Sequence, residues 1–207
     1  MTAAAQRPAG WVLSVVPNLA DWQLGDIVLM SARGAAGGLL QAGQTALLPQ
    51  LRAHANWVHC GIYAGNGKVI DALPDRGVQA RSLAAYARHR SLQVKRLKIG
   101  ADLLADDADG REIVQAARTM LHASYAWQEL TRDCMHLALR RVGLAGLSAH
   151  VRNRFYCSAL VVRAYVQGAR VNLDDDQGQP CLPSTLSAHP DLRSIPVHWV
   201  YNGNSVP

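Results

Sequence analysis

The stretch WVHCGIYAGNGKVIDAL, residues 57–73, decides the fold. Val58, Ile62, Tyr63, Val69 and Ile70 are strand formers. Between the two runs, Gly65-Asn66-Gly67 tolerates the positive φ that a tight turn demands. The segment therefore predicts a β-hairpin. Alternation along its first arm sends His59 and Cys60 to opposite faces. The turn then decides what meets His59. A two-residue Asn66-Gly67 loop pairs Gly65 with Lys68, and Asp71 falls opposite Ile62, away from His59. A three-residue loop, with Gly67 in a left-handed bulge position, pairs Ala64 with Lys68 and Gly61 with Asp71. Asp71 then lies diagonal to His59 on one face, about 7–8 Å away between backbones. Gly67 suits this second turn, and Gly61 leaves room for a helix to approach the strand.

Outward from the hairpin, Trp22–Asp26 reads as a turn leading into a buried strand, Ile27–Met30. Residues 32–38 are glycine- and alanine-rich and predict a mobile segment near the cleft. Residues 39–50 predict a short helix closed by Pro49, apolar enough to line a pocket or join the core. Arg81–Arg90 reads as helix, and Ser91–Ile99 as a strand with one bulge. Amphipathic spacing predicts helices over Asp109–His122, Trp127–Val142 and Cys157–Gly168. Residues 172–196, with an acidic turn at Asp174–Asp176 and several prolines, read as surface loop. Val197–Tyr201 reads as a last strand, and residues 1–10 as a loose tail around a single domain spanning 1–207. The fold class is α+β, a small antiparallel sheet flanked by helices.

A catalytic thiol needs a lowered pKa and a base within reach. Of Cys60, Cys134, Cys157 and Cys181, only Cys157 combines a helix start with access from a loop. Unpaired N–H groups at a helix N-terminus favour an anion and can serve an oxyanion. Arg152 and Arg154 stand nearby in sequence. Spacing alone leaves two readings open, a nucleophile and a buried structural cysteine. His59 offers a base and Asp71 a group to hold its tautomer. Tyr63, Tyr156, Asn56 and Trp57 are candidates for shaping a substrate pocket. Asp26, after Gly25, has the position of a turn and capping residue.

Three blocks in order, LGDIVLM (24–30), HCGIYAGNGKVIDA (59–72) and FYCSALVVRAY (155–165), resemble the permuted branch of the NlpC-type papain-like cysteine hydrolases, in particular its YiiX-like members. The resemblance spans about residues 22–166. In ordinary papain-like enzymes the cysteine helix precedes the histidine strand; in this branch, as here, it follows. The resemblance implies a circularly permuted papain-like core, with Cys157 as nucleophile, His59 as base and Asp71 in the polar third position. More distant permuted relatives, the lecithin:retinol acyltransferase-like enzymes, move acyl groups on lipids.

Composition narrows the partners. The formal net charge is +6 and charged residues make up 17%. No Lys/Arg block forms a nucleic-acid footprint. No Gly-Lys-Ser/Thr loop, CxxC pair or zinc-finger spacing points to a cofactor or metal. No apolar run approaches the roughly 20 residues that span a bilayer, and Trp11–Val16 is too short for a signal core. The reading is cytoplasmic by default, with signal-independent export open. The first functional expectation is an amidase or peptidase acting on small peptides or cell-wall peptides. The alternative is a thioesterase, esterase or lipid acyltransferase acting on acyl chains at a membrane surface. Either chemistry suits a bacterial effector, whose partners would include an immunity or inhibitor protein. A non-catalytic module of the same fold is the third.

Overall fold

The computed structural model describes residues 15–87, 91–100, 103–125, 156–174 and 181–201. In chain order its elements are β1 (Val15–Pro17), β2 (Ile27–Ser31), α1 (Gly34–Leu47), a 3-10 segment (Pro49–His54), β3 (Trp57–Tyr63), β4 (Lys68–Leu73) and β5 (Gly77–Ser82). There follow α2 (Ala84–Ala87), β6 (Leu92–Ile99), β7 (Leu103–Leu104), α3 (Asp107–Thr119), α4 (Cys157–Gly168), α5 (Pro183–Ala188), β8 (Leu192–Ile195) and β9 (Trp199–Tyr201). The predicted helix Trp127–Val142 lies outside the described residues. The main sheet is antiparallel, in the order β5-β4-β3-β2-β6-β7, with β8 also on β6. β1 and β9 pair separately.

The hairpin takes the register Gly61↔Asp71. Its bulge sits two residues earlier than the sequence suggests, at Gly65 instead of Gly67. Asn66 (φ 52°) and Gly67 (φ 66°) are the two central residues of the turn, and the Lys68 N–H donates to the Gly65 carbonyl at 2.9 Å. The Ala64 N–H donates to the Lys68 carbonyl, also at 2.9 Å, so Ala64 and Gly65 both oppose Lys68. Gly65, at φ 84°, is the extra residue. That one added residue sets the face of every side chain on β4.

β2 is buried on both sides. Ile27 and Leu29 join Cys60, Ile62, Ile70 and Ala72 under α3 and α4. Val28 and Met30 face the second core with Tyr63, Val69, Tyr86, Leu92 and Val94. The helix face is closed by α3 against α4. A Cβ on Gly168 would stand 2.5 Å from the Ile113 backbone, so only glycine allows this approach. Asp106 starts α3 with a capping box, accepting from Ala108 N–H at 2.7 Å. That places the helix start at Asp107, before the Asp109 expected from periodicity. Tyr165, on α4, donates to the Gly25 carbonyl at 2.7 Å and fixes the helix to the turn before β2.

Two predicted loops are ordered elements. The glycine- and alanine-rich stretch belongs to α1, whose Gln44 side chain donates to the carbonyls of Ala55 (3.1 Å) and Trp57 (2.8 Å). Within 172–196, Pro183 opens α5 and Leu192–Ile195 pairs with β6. Proline at the first helical position loses no backbone bond, so it marks a start there and not a break.

Asp26 is structural. Its Oδ1 accepts from Arg96 Nε at 2.7 Å, and its Oδ2 from Arg96 Nη2 at 2.8 Å and Gln23 N–H at 2.9 Å. Burial pushes the Asp26 carboxyl up, and the Arg96 guanidinium and Gln23 amide oppose it. Asp26→Ala strands a buried guanidinium, so it is expected to lower the unfolding free energy by about 3–5 kcal/mol in urea titrations.

Candidate active site

β3 outruns its partner. Its pairing with β4 covers Gly61–Tyr63 only, while β2 stays beside it down to Trp57. The Tyr63 N–H donates toward β2, to the Asp26 carbonyl at 2.8 Å, so by alternation the Cys60 N–H points to the β4 side, past the end of that pairing. The head of α4 fits at this margin. Cys157 is its first residue, and Tyr156, in extended conformation, precedes it without a side-chain cap. Among the described residues no side chain caps this start, and first-turn N–H groups of a helix can serve an anion.

Four groups meet there. His59 Nε2 donates to Asp71 Oδ2 at 2.7 Å, which leaves Nδ1 for the Cys157 sulfur, to which His59 is also hydrogen-bonded. Cys60 neighbours the Cys157 sulfur on its other side, and its thiol and backbone amide both act to lower the Cys157 thiol. Asp71 is fully buried, and the His59 side chain is 13% exposed. Gly61 makes room for this pair, although not for a helix as the sequence suggests. Its missing Cβ would stand 2.5 Å from Val69 and 3.0 Å from the Asp71 Cβ, so any side chain there displaces the acid.

The electrostatics follow from these contacts. The Cys60 thiol is the strongest influence holding the Cys157 thiol well below its ordinary range; burial opposes it, and the hydrogen bond and charge of His59 assist. Burial opposes charging of His59, but its bonds to Asp71 and Cys157 outweigh that and raise it to about 9. Burial and the Cys157 charge push the Cys60 thiol well up. The three shifts run in the direction of a Cys157 thiolate beside a His59 imidazolium, with Cys60 protonated.

Sequence reasoning missed the support behind Asp71. Tyr86, on the four-residue α2, donates its hydroxyl to the same Asp71 Oδ2. Arg81 Nη1 donates to the Tyr86 oxygen at 3.3 Å, and its guanidinium lies 5.3 Å from the Tyr86 ring centre. Burial and the Asp71 charge push the Tyr86 hydroxyl far up, so it remains a donor. No spacing signal ties Tyr86 to Asp71, because the contact depends on how β5 hands over to α2. Tyr86→Phe leaves Asp71 with His59 as its one side-chain donor among the described residues. With one donor gone, the Asp71 charge bears more fully on His59, which then holds its proton more tightly. The expected result is a His59 titration, followed by NMR, that moves above about 9, with turnover down about tenfold.

The pocket candidates separate. Tyr63 is core: its ring meets Trp22 edge-on at 5.3 Å, and its hydroxyl accepts from the Gly67 N–H at 3.5 Å. Trp57 is buried with the α4 face, because a slip in the β2–β3 register between Met30 and Ser31 takes it out of step with His59. Asn56 is exposed, and its carbonyl accepts from Ala32 N–H at 2.8 Å. Tyr156 is buried directly before Cys157. Of the four, Tyr156 alone adjoins the nucleophile candidate in sequence.

No protein-family model matches the chain, and no curated protein matches it in sequence. Among solved structures, the metalloprotein YiiX of Escherichia coli O157:H7, a DUF1105 protein, superposes with a TM-score of 0.59. The match covers 86% of this chain and 98% of that one, at 16% identity. The chain has a YiiX-like fold. At that identity the likeness is one of fold, and the description as a metalloprotein is a property of YiiX. Among the described residues of this chain, no three His, Cys, Asp or Glu side chains converge as a metal site. His59 stands between Asp71 and Cys157, hydrogen-bonded to Asp71 at 2.7 Å. Among the described residues, no helix is long and apolar enough to cross a membrane.

Proposed function

We propose that the protein is a cysteine-dependent amide hydrolase of the permuted papain-like kind, acting through an acyl-enzyme on small peptides or cell-wall peptides. The observation that carries this reading is His59, hydrogen-bonded both to Asp71 and to a Cys157 sulfur at the head of a helix. The Cys157 thiolate attacks the amide carbonyl. The tetrahedral oxyanion is met by first-turn N–H groups of α4. His59, protonated and held by Asp71, gives its proton to the leaving amine as the C–N bond breaks. It then takes a proton from the water that attacks the thioester, and the acid product leaves with the thiolate restored.

A second reading, acyl transfer or ester hydrolysis on acyl chains, is favoured by α1. Leu39 is 75% exposed and Leu40 46% exposed there. Such side chains suit an aliphatic substrate or a membrane surface, and the positive net charge suits anionic lipid or cell-wall polymer. Export as an effector fits either chemistry.

Intact-mass spectrometry after exposure to pools of peptides and of acyl thioesters decides between them. The expected result is a Cys157 adduct of peptide-acyl mass, absent in Cys157→Ala. A fatty-acyl adduct selects the second reading, and no adduct from either pool overturns both.

A further inference from the structure

We propose that Cys60 is a resolving thiol for Cys157, and that a hydroperoxide converts the pair to a reversible intramolecular disulfide. This rests on the reading of Cys157 as a reactive thiolate and adds an oxidation site within it. The pairing follows from strand alternation. His59 takes one face of β3, so Cys60 takes the other, the face on which α4 packs. Cys60 and Cys157 share one buried cluster, and because β4 ends its pairing at Gly61 the head of α4 can sit against Cys60 itself, whose thiol and amide act on the Cys157 sulfur. Cys60 is fully buried and protonated, so it does not compete as a nucleophile for substrates. In acid–base catalysis the Cys60 thiol only helps to hold Cys157 low; no bond to substrate is made or broken at its sulfur.

The steps balance. The Cys157 thiolate attacks the distal oxygen of the hydroperoxide. An S–O bond forms, the O–O bond breaks, and the alkoxide leaves as an alcohol with the proton of His59. Cys157 is then a sulfenic acid, two electrons oxidised. The Cys60 sulfur attacks it, the S–S bond forms, and the hydroxide departs as water with the Cys60 proton. An external dithiol reverses the change by exchange. Without Cys60 in contact, the sulfenic acid is exposed to a second peroxide and passes to the irreversible sulfinic acid.

Cys181 is the competing thiol. It lies in the same core and acts on Cys60 electrostatically, but its sulfur accepts from the Thr185 hydroxyl at 3.4 Å at the start of α5. The test is hydrogen peroxide treatment of the full chain, followed by unreduced peptide mapping and intact mass. The expected result is a Cys60–Cys157 cross-linked peptide and a loss of about 2 Da, reversed by dithiothreitol. Cys181→Ala should behave alike. In Cys60→Ala, and in Cys60→Val, which keeps a strand-forming apolar residue, Cys157 should instead give a dimedone adduct and then sulfinic acid. A Cys157–Cys181 cross-link, or sulfinic Cys157 beside free Cys60 in the unaltered protein, overturns the proposal. Iodoacetamide labelling of untreated protein separates the two ideas. Labelling of Cys157 without any cross-link sinks the disulfide alone. Absence of both sinks the thiolate reading as well.

Discussion

Cys157→Ala is expected to lower turnover by about 10⁴–10⁶-fold and to abolish rapid alkylation of the native protein. The size follows from what the sulfur alone supplies. It forms the acyl bond, and it is the one thiol in the site whose surroundings favour the anion. Cys60 and Cys181 are also buried, but neither replaces it. Burial and the neighbouring Cys157 charge keep Cys60 protonated, and Cys181 is tied to its own helix start. Cys157→Ser should fare nearly as badly. The same Cys60 donors and imidazolium cannot bring a hydroxyl, with its far higher intrinsic pKa, into the neutral range. The check is iodoacetamide labelling with peptide mapping, beside turnover of whichever amide gives an adduct. Rapid labelling of Cys60 in the unaltered protein, or substantial turnover by Cys157→Ala, would remove Cys157 from the chemistry.

The hairpin shows how far sequence reached. Two registers were compatible with residues 57–73, and the choice between them decided whether Asp71 could meet His59. Glycine and asparagine in the turn announced that positive φ was needed, but not which residue would be extra. The bulge fell at Gly65 and gave the same register that a bulge at Gly67 would have given. The start of α4 at Cys157 was legible because polar loop residues give way to a helical apolar pattern there. The Tyr86 contact was not, since a tyrosine in a short helix carries no mark of the carboxylate it meets. The face that Trp57 takes is not legible for a related reason: a register slip beside it has no signature in its own residue type. Cys60 was assigned a face by alternation, but its contact with Cys157 required knowing where β4 stops.

His59→Gln is expected to cost about 10³–10⁴-fold in turnover and to leave a different pH dependence behind. With His59 present, the ion pair persists from the lowered titration of Cys157 up to about 9. Turnover should fall above about 9, where the imidazolium loses the proton owed to the leaving amine. Alkylation should not fall there, because the thiolate survives. The two profiles therefore diverge on the alkaline side, which a thiol acting without an acid would not produce. Folding stability carries the same sign. His59 gains affinity for its proton on folding, so its contribution is complete below about 6.5 and is lost as pH rises through about 9. Cys157 runs the other way, its contribution lost as pH falls through its lowered titration. In His59→Gln the Cys60 donors remain, so the Cys157 thiol should rise but stop short of an ordinary cysteine. Alkylation at pH 6–7 would slow without vanishing. Full loss of thiolate character in that variant would assign the whole effect to His59. Unchanged alkylation would assign it to Cys60 and deny His59 any hold on the sulfur.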